Sequence, residues 1–486
     1  MIGVDMDRLR DCVSKGLEAT KKDGVELEAF ASWNELVTVR LNYTSDIPSM
    51  GVQEPKSIRS FGVGVQAAFR EKGKVTTGFG SEANDLHPRA VRGAFRKARR
   101  CRFPDPDFHS LPSPAGVPTL SDYHDPMAME AKDAHIVELG WKALKGSLTA
   151  FKEKGISKSI IVGGDVCVLK EKVAIKSTMG IEEFDESTIL TATITTMVEN
   201  EEVKGTGWST STHLDGFDPE AAGREAAESA IRTIGGKRIP PGVYEVVLGR
   251  QPVTDLVSHI IAPSLSLSFV HASNTPFLGK LGKKICSPNL SIYDHGALPG
   301  QIASKKITCE GLPTGRTDLV FNGLLVGFLS NHYLAQKLSS PVTSFEPRSG
   351  FRFHTLGRNY DMQATISPTN IVMEGKEEVS RDELLSGIKE GVYIGRIWYT
   401  YPINGMAAGD FTSTVVADSF LIRDGEISTP LRPNTIRINS NIRHIMNNVH
   451  SVTREKKTTL VWAAEAAVIA PEIRVEGVRL DSIAVS

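Results

Sequence analysis

Two stretches of the chain follow one pattern, and they limit the folds open to its first half. GFGSEANDLHPRAVRGAF (78–95) and GTGWSTSTHLDGFDPEAAGREA (205–226) each run from a glycine-rich strand end, through a polar loop, to an x-Pro helix start and an alanine-rich helix. Pro88 and Pro219 stand 131 residues apart. Proline suits a first helical turn, where its missing N–H loses no partner. Ahead of the first copy, an amphipathic helix near 6–23 keeps Leu9, Val13 and Leu17 in register. Strands ELEAFAS and ELVTVRLNYTS follow, then a hairpin of FGVGVQAAF and KVTTGFG turning at 71–73. Ahead of the second copy, a long helix over about 127–154 leads into strands SIIVGGDVCVLK, VAIKST and TILTATITTMV. Duplication accounts for the pattern, as do two unrelated units of similar shape; we favour duplication.

These units, 1–102 and 127–235, form an α+β N-terminal domain over 1–235. A linker at 103–126, with prolines at 104, 106, 112, 114, 118 and 126, joins them and should run extended over the surface. GGKRIPPG (235–242) stops the preceding helix and starts a strand. Residues 242–486 then read as a β-rich C-terminal domain. VYEVVL, TDLVF, LLVGFLS, NIVME, VYIGRIWYT, STVVADSFLI, TIRIN, TTLVWAAEAAVIA and IRVEGVRL are short, β-branched and bounded by turn residues. Helices are expected only near 251–261, 331–338, 380–388 and 440–448. The fold class is α+β.

Lys plus Arg number 56 against 57 Asp plus Glu, a formal charge of −1. That balance argues against nucleic acid or an anionic membrane as partner. The basic run RKARRCR (96–102) reads as a solvated helix end. MIGVDMDRLR carries charge where a signal peptide needs an apolar core. The longest stretch free of Asp, Glu, Lys and Arg, 256–279, holds histidines, prolines and serines and makes a poor membrane span. Cys12, Cys101, Cys167, Cys286 and Cys309 are scattered, with no C-x-x-C pair. A cytoplasmic chain without disulfides is expected.

The chemistry centres on GVYEVVLGRQPVTDLVSHIIAPSL (242–265): an apolar strand, a short turn, then an apolar helix carrying His259. Helical zinc peptidases use this layout to present two histidines and a glutamate from one helix face. Here His259 is followed by Ile260, Ile261, Ala262, Pro263 and Ser264. Among His259, His271, Asp294, His295 and His332, no two fall at i,i+3 or i,i+4 on a predicted helix, so no rigid half-site is visible. There is no G-x-S-x-G and no H-E-x-x-H, and GLPTGRT (311–317) is a turn and not a phosphate loop. Asn331 is a candidate N-cap for the 331–338 helix. Asn404, Gly405, Gly409 and Asp410 form a polar, glycine-rich loop before a strand starting at Phe411. Glycines let a peptide backbone approach and the strand could pair with it; a tight connection inside a sheet explains the same residues.

These segments occur in order with SIYDHGALPG (291–300), CEGLPTGRTDLVFNGLLVGFLSNHYLAQKL (309–338), SPTNIVMEGK (367–376), GVYIGRIWYTYPINGMAAGDFTSTVVADSFLIRDGEI (391–427) and APEIRVEGVRL (470–480). In that order and spacing the chain resembles the TldD/PmbA family of peptide-processing proteins. In the catalytic TldD branch the corresponding helix carries His-Glu-x-x-x-His; laid on this sequence, the positions fall at His259, Ile260 and Ser264. A further ligand of that branch, a cysteine near the C-terminus, has no counterpart, since the last cysteine is Cys309. The chain therefore resembles the TldE (PmbA) branch. The resemblance implies a non-catalytic subunit of a metallopeptidase complex that degrades or matures unfolded peptides. It implies no metal in this chain, zinc in a TldD-like partner, and a heterodimer or higher oligomer. It also implies that the loop of Asn404, Gly405, Gly409, Asp410 and Phe411 lies near the central cavity, facing peptide or partner. Two other readings stay open: a peptidase in its own right with a divergent metal site, and a stand-alone peptide-binding homodimer.

Overall fold

The computed structural model describes residues 4–47, 51–354, 357–461 and 466–483. The first half builds α1 (Met6–Glu18), β1 (Val25–Thr44), β2 (Lys56–Glu71), β3 (Lys74–Ala83) and α2 (Pro88–Arg100). It then repeats that order with α3 (Asp133–Glu153), β4 (Ile160–Ser177), β5 (Glu182–Val198), β6 (Val203–Ser211) and α4 (Pro219–Arg232). The main strands lie in the order β3-β2-β1-β4-β5-β6. The two units meet along β1 and β4, which run antiparallel with Leu36 opposite Leu169.

All four helices cover one face of this sheet. Leu9, Val13, Ala90 and Val91 pack on Leu27, Ala29, Val63 and Val65. Ile136, Leu139 and Ala226 pack on Val39, Val166 and Leu190. The repeated glycines explain themselves here. A Cβ on Gly78 would lie 2.1 Å from the Ala98 carbonyl oxygen, and one on Gly80 2.4 Å from that of Ala94. In the second unit, Gly205 and Gly207 would meet the Ala226 and Ala222 carbonyls at 2.0 and 2.1 Å. In both units the helix backbone rests directly on the strand, which excludes any side chain at these positions.

Two expected strand pairs are each one long strand. ELEAFAS and ELVTVRLNYTS are joined within β1, and SIIVGGDVCVLK and VAIKST within β4. The polar residues at the junction are buried and each finds partners, although Asn34 Oδ1 has none among the described residues. Asn34 Nδ2 donates to the Arg358 carbonyl at 2.7 Å, and Glu35 pairs with Arg59 at 2.5 Å and Lys170 at 3.1 Å. The uncovered sheet face meets the C-terminal half, where Phe30, Val173 and Ile175 pack on Ile307, Cys309 and Phe351.

The C-terminal half holds β7 (Gly242–Leu248), β8 (Leu290–His295), β9 (Arg316–Phe321), β10 (Asn370–Gly375), β11 (Glu390–Pro402), β12 (Asp410–Arg423), β13 (Ile436–Asn441) and β14 (Ile473–Ser482), with shorter strands between. β14, β13, β12, β11 and β7 follow one another in hydrogen-bonded order, and β7 pairs back onto β14. Val246 thus stands opposite Val392 on one side and Val475 on the other, and the strands close into a five-stranded ring. β9, β8 and β10 belong to a second, six-stranded sheet. LLVGFLS is strand only at Leu324–Leu325; beyond it Leu329 N donates to the Leu265 carbonyl instead of a ladder partner. TTLVWAAEAAVIA divides into strands Lys457–Thr459 and Ala467–Ala470, with 462–465 outside the described residues. Among the described residues, no helix is long and apolar enough to cross a membrane.

Candidate functional site

The helix after β7 is α-helical over Arg250–Leu256, widens to a π turn over Val257–Ile261, and resumes at Ala262–Ser264. Pro263 has no N–H to give the His259 carbonyl, and the wider turn accommodates it: Ala262 N donates to the Val257 carbonyl. One stripe of this helix, Gln251, Asp255 and His259, faces a cleft of about 600 Å³ between the two halves. The opposite stripe, Val253, Leu256, Val257, Ile260 and Ile261, joins the main C-terminal core.

The cleft has one wall from each half. The N-terminal sheet contributes Asp165 and Cys167 from β4, Thr191, Thr193 and Thr195 from β5, and Trp208 from β6. Strand alternation explains the set: Leu190, Ala192 and Ile194, the intervening residues, face the helices. The ring contributes Arg396, Trp398, Tyr399, Thr400 and Tyr401 from β11. Two irregularities bend β11 here, between Arg396 and Ile397 and between Trp398 and Tyr401. The second holds Tyr399 at φ 58, a conformation costly for a bulky residue and common beside functional sites.

On the cleft floor, His259 Nδ1 donates to the Asp255 carbonyl at 3.0 Å and lies 3.6 Å from its Oδ1. Gln251 Nε2 donates to Asp255 Oδ2 at 3.2 Å, and the same amide grips both backbone groups of Ile397. Burial pushes the Asp255 carboxyl above its ordinary range, against the pull of Thr400, His259 and Gln251. The Arg396 guanidinium stands 5.6 Å from each of the Trp208 and Trp398 rings.

The three positions aligned with the zinc motif do not share this cleft. Ile260 is buried in the core, and Ser264, also buried, donates its hydroxyl to the Ile260 carbonyl at 2.7 Å. His259 alone reaches the cleft, and these residues do not fit a zinc ion. Among the described residues, no three His, Cys, Asp or Glu gather as a metal site. The other candidates lie apart. His271 is exposed. Asp294 accepts from Thr369 N and Oγ1 at 2.8 and 2.9 Å, and burial pushes it up to about 6. His295 Nδ1 accepts from Ala297 N at 3.2 Å, while His332 Nε2 donates to the Ser110 carbonyl at 3.0 Å. Asn331 caps its helix, accepting from Leu334 N at 3.0 Å.

In the 404–411 loop, Gly405 and Gly409 take φ of 79 and 76. Asp410 accepts from Asn404 at 3.0 Å and from Asn441 at 2.8 Å. Phe411 points the other way, fully buried in the ring, because it begins the alternation of β12. The surface of this hairpin is carried instead by Tyr399, Tyr401 and Ile403, 72, 54 and 50% exposed.

A search for paired histidines passes over Asp255, although its i,i+4 spacing to His259 is in the sequence. Arg396, Trp208 and Trp398 carry no such local sign; the packing of the two halves brings them together.

Residues 241–482 match the family model of the PmbA/TldA metallopeptidase C-terminal domain. A protein of Methanothermobacter thermautotrophicus named metalloprotease is 27% identical over 239 residues, 49% of this chain and 49% of its own length. Metalloprotease PmbA of Escherichia coli O157:H7 is 24% identical over 261 residues, 53% of this chain and 51% of its own. The match thus spans about half the length of these curated relatives. The crystal structure of TldE from Thermococcus kodakarensis superposes with a TM-score of 0.77 over 98% of this chain and 100% of that one, at 19% identity. With the C-terminal family match, relatives in both sequence and fold, and a β-rich second half, the chain belongs to the TldD/PmbA family and has the fold of its TldE members.

Proposed function

We propose that this chain is the non-catalytic, TldE-like subunit of a TldD-type zinc metallopeptidase complex acting on unfolded peptides in the cytoplasm. The partner holds the zinc, and this chain shapes the peptide chamber. One observation carries the reading: Ile260 and Ser264 are turned into the core, leaving His259 as the sole residue of the aligned motif in the cleft. A glutamate that could serve as general base for water is missing from the aligned position. The relatives named metalloproteases support the reaction class, and the fold shared with TldE supports the subunit role. The hairpin end, with Tyr399, Tyr401 and Ile403 beside Asn404, Gly405 and Asp410, is the surface we assign to partner or peptide.

The test is co-expression with a TldD-type metallopeptidase of the same genome. The two chains should co-purify and cleave an unfolded polypeptide together, with activity lost to a chelator and retained in His259→Ala. The isolated chain, loaded with zinc and desalted, should retain almost none. One tightly held zinc per isolated chain, lost in His259→Ala, would sink the reading and favour a peptidase with its own site at Asp255 and His259.

A further inference from the structure

Among the described arginines, Arg396 is the one whose guanidinium stands near two tryptophan rings. The two fully buried arginines are neutralised: Arg358 by Asp185 at 2.8 Å, and Arg352 by Glu28. Arg396 lies between the Trp208 and Trp398 rings, yet among the described residues no carboxylate reaches ion-pair distance of its guanidinium. Its Nε is buried and has no hydrogen-bond partner. Burial pushes Arg396 down to about 10, and the charges of Asp255 and Asp418 offset only part of that. A desolvated cation fixed between two rings gains strongly when an anion arrives.

The cleft identifies the anion. The guanidinium presents parallel N–H donors, which match the two oxygens of one carboxylate. Asp255 stands on the cleft floor and repels a phosphate dianion more strongly than a single carboxylate. The hydroxyls of Thr191, Thr193 and Thr195 form a row along β5, spaced like the backbone groups of an extended chain. Tyr401 and Leu460 add apolar surface for a side chain. The volume of about 600 Å³ is that of a small-ligand site.

We propose that this cleft binds a peptide by its carboxylate, held by Arg396 between Trp208 and Trp398 and running toward Asp255 and His259. The inference rests on peptide being the substrate of the complex proposed above, but its test needs this chain alone.

The experiment titrates the full chain with Ala-Ala-Ala-Phe, read by tryptophan fluorescence and by calorimetry; two of the five tryptophans line the cleft. The free acid should bind saturably and its C-terminal amide about ten- to a hundredfold more weakly. Arg396→Gln should abolish the difference between acid and amide, and Arg396→Lys should keep part of it. Amidated Ala-Ala-Ala-Glu distinguishes the source: if it binds like the free acid, a side-chain carboxylate suffices; if it does not, the chain terminus is read. Equal binding of acid and amide by the unaltered chain, no saturable binding of either, or stronger binding of inorganic phosphate would overturn the proposal. The two failures are separable. Carboxylate recognition without a co-purifying metallopeptidase removes the proposed complex and leaves this site. An active complex whose subunit ignores the free acid removes this site and leaves the complex.

Discussion

Lys305 Nζ lies 2.8 Å from Glu171 Oε2, and both side chains are sealed from solvent. Arg358 stands 3.6 Å from the other oxygen of Glu171 and 2.8 Å from Asp185, and the Ser187 hydroxyl donates to Glu171 Oε2 at 2.5 Å. The carboxylates sit on β4 and β5 and the cations in the C-terminal half, so the network fastens one half to the other. Burial pushes the Glu171 carboxyl up, but Lys305 and Arg358 outweigh it and hold it at about 2.

Removing one partner should therefore be costly. Lys305→Met is expected to lower stability by about 3–5 kcal/mol, because it leaves buried charge under-compensated. Lys305→Met combined with Glu171→Gln should cost less than the two single changes added together. Urea denaturation of the four proteins measures this, and strict additivity would contradict the network.

Glu310 makes the opposite prediction with pH. Burial pushes its carboxyl up to about 8, helped by the charge of Glu28 and opposed by the His332 N–H at 3.0 Å. Between its unfolded value of about 4.5 and that raised value, the folded chain holds a proton that the unfolded chain has released. This contribution is present below the unfolded value and is lost as pH rises, by at most about 1.4 kcal/mol per pH unit. Glu310→Gln, which cannot ionise, should flatten the fall in melting temperature between pH 5 and pH 8, about the window those values define. An unchanged slope would exclude Glu310 as its source.

The strand glycines should be equally intolerant in the two units. Gly80→Ala and Gly207→Ala each drive a methyl group against a helix carbonyl, of Ala94 or of Ala222. Each should cost about 1–3 kcal/mol, as overpacking does. Denaturation midpoints test this; a neutral Gly207→Ala would mean that α4 can lift from the sheet.

Thiol reactivity follows burial. All five cysteines are free, and Cys101 is exposed. Burial pushes Cys12, Cys286 and Cys309 up to about 12, well away from thiolate. Iodoacetamide should label Cys101 first in the native chain and reach these three only on unfolding. Rapid native labelling of Cys309, mapped by mass spectrometry, would contradict its place beneath the N-terminal sheet.

The N-terminal architecture was legible because its rules are local. Glycine pairs, proline starts and alternating apolar residues are written within each unit, and Leu190, Ala192 and Ile194 obey them. The break expected inside β1 was wrong because Asn34 and Glu35 find partners contributed by distant elements, including Arg358 and Lys170. The cleft was half legible. His259 stood out by its apolar helix, but Trp208 and Arg396 come from different halves of the chain. Phe411 was drawn into the loop by adjacency, although strand alternation turns it inward.

The ring carries a consequence for synthesis. Its first strand, Gly242–Leu248, must wait for Ile473–Ser482, since Val246 pairs with Val475 and Gly242 with Leu480. The N-terminal sheet has all its strands once Ser211 is made. During translation the first half can be complete while the second still has an open edge, along β7. Until Glu390–Pro402 is made the cleft lacks its second wall, so a chain that stops short of that strand has no site with which to hold a peptide.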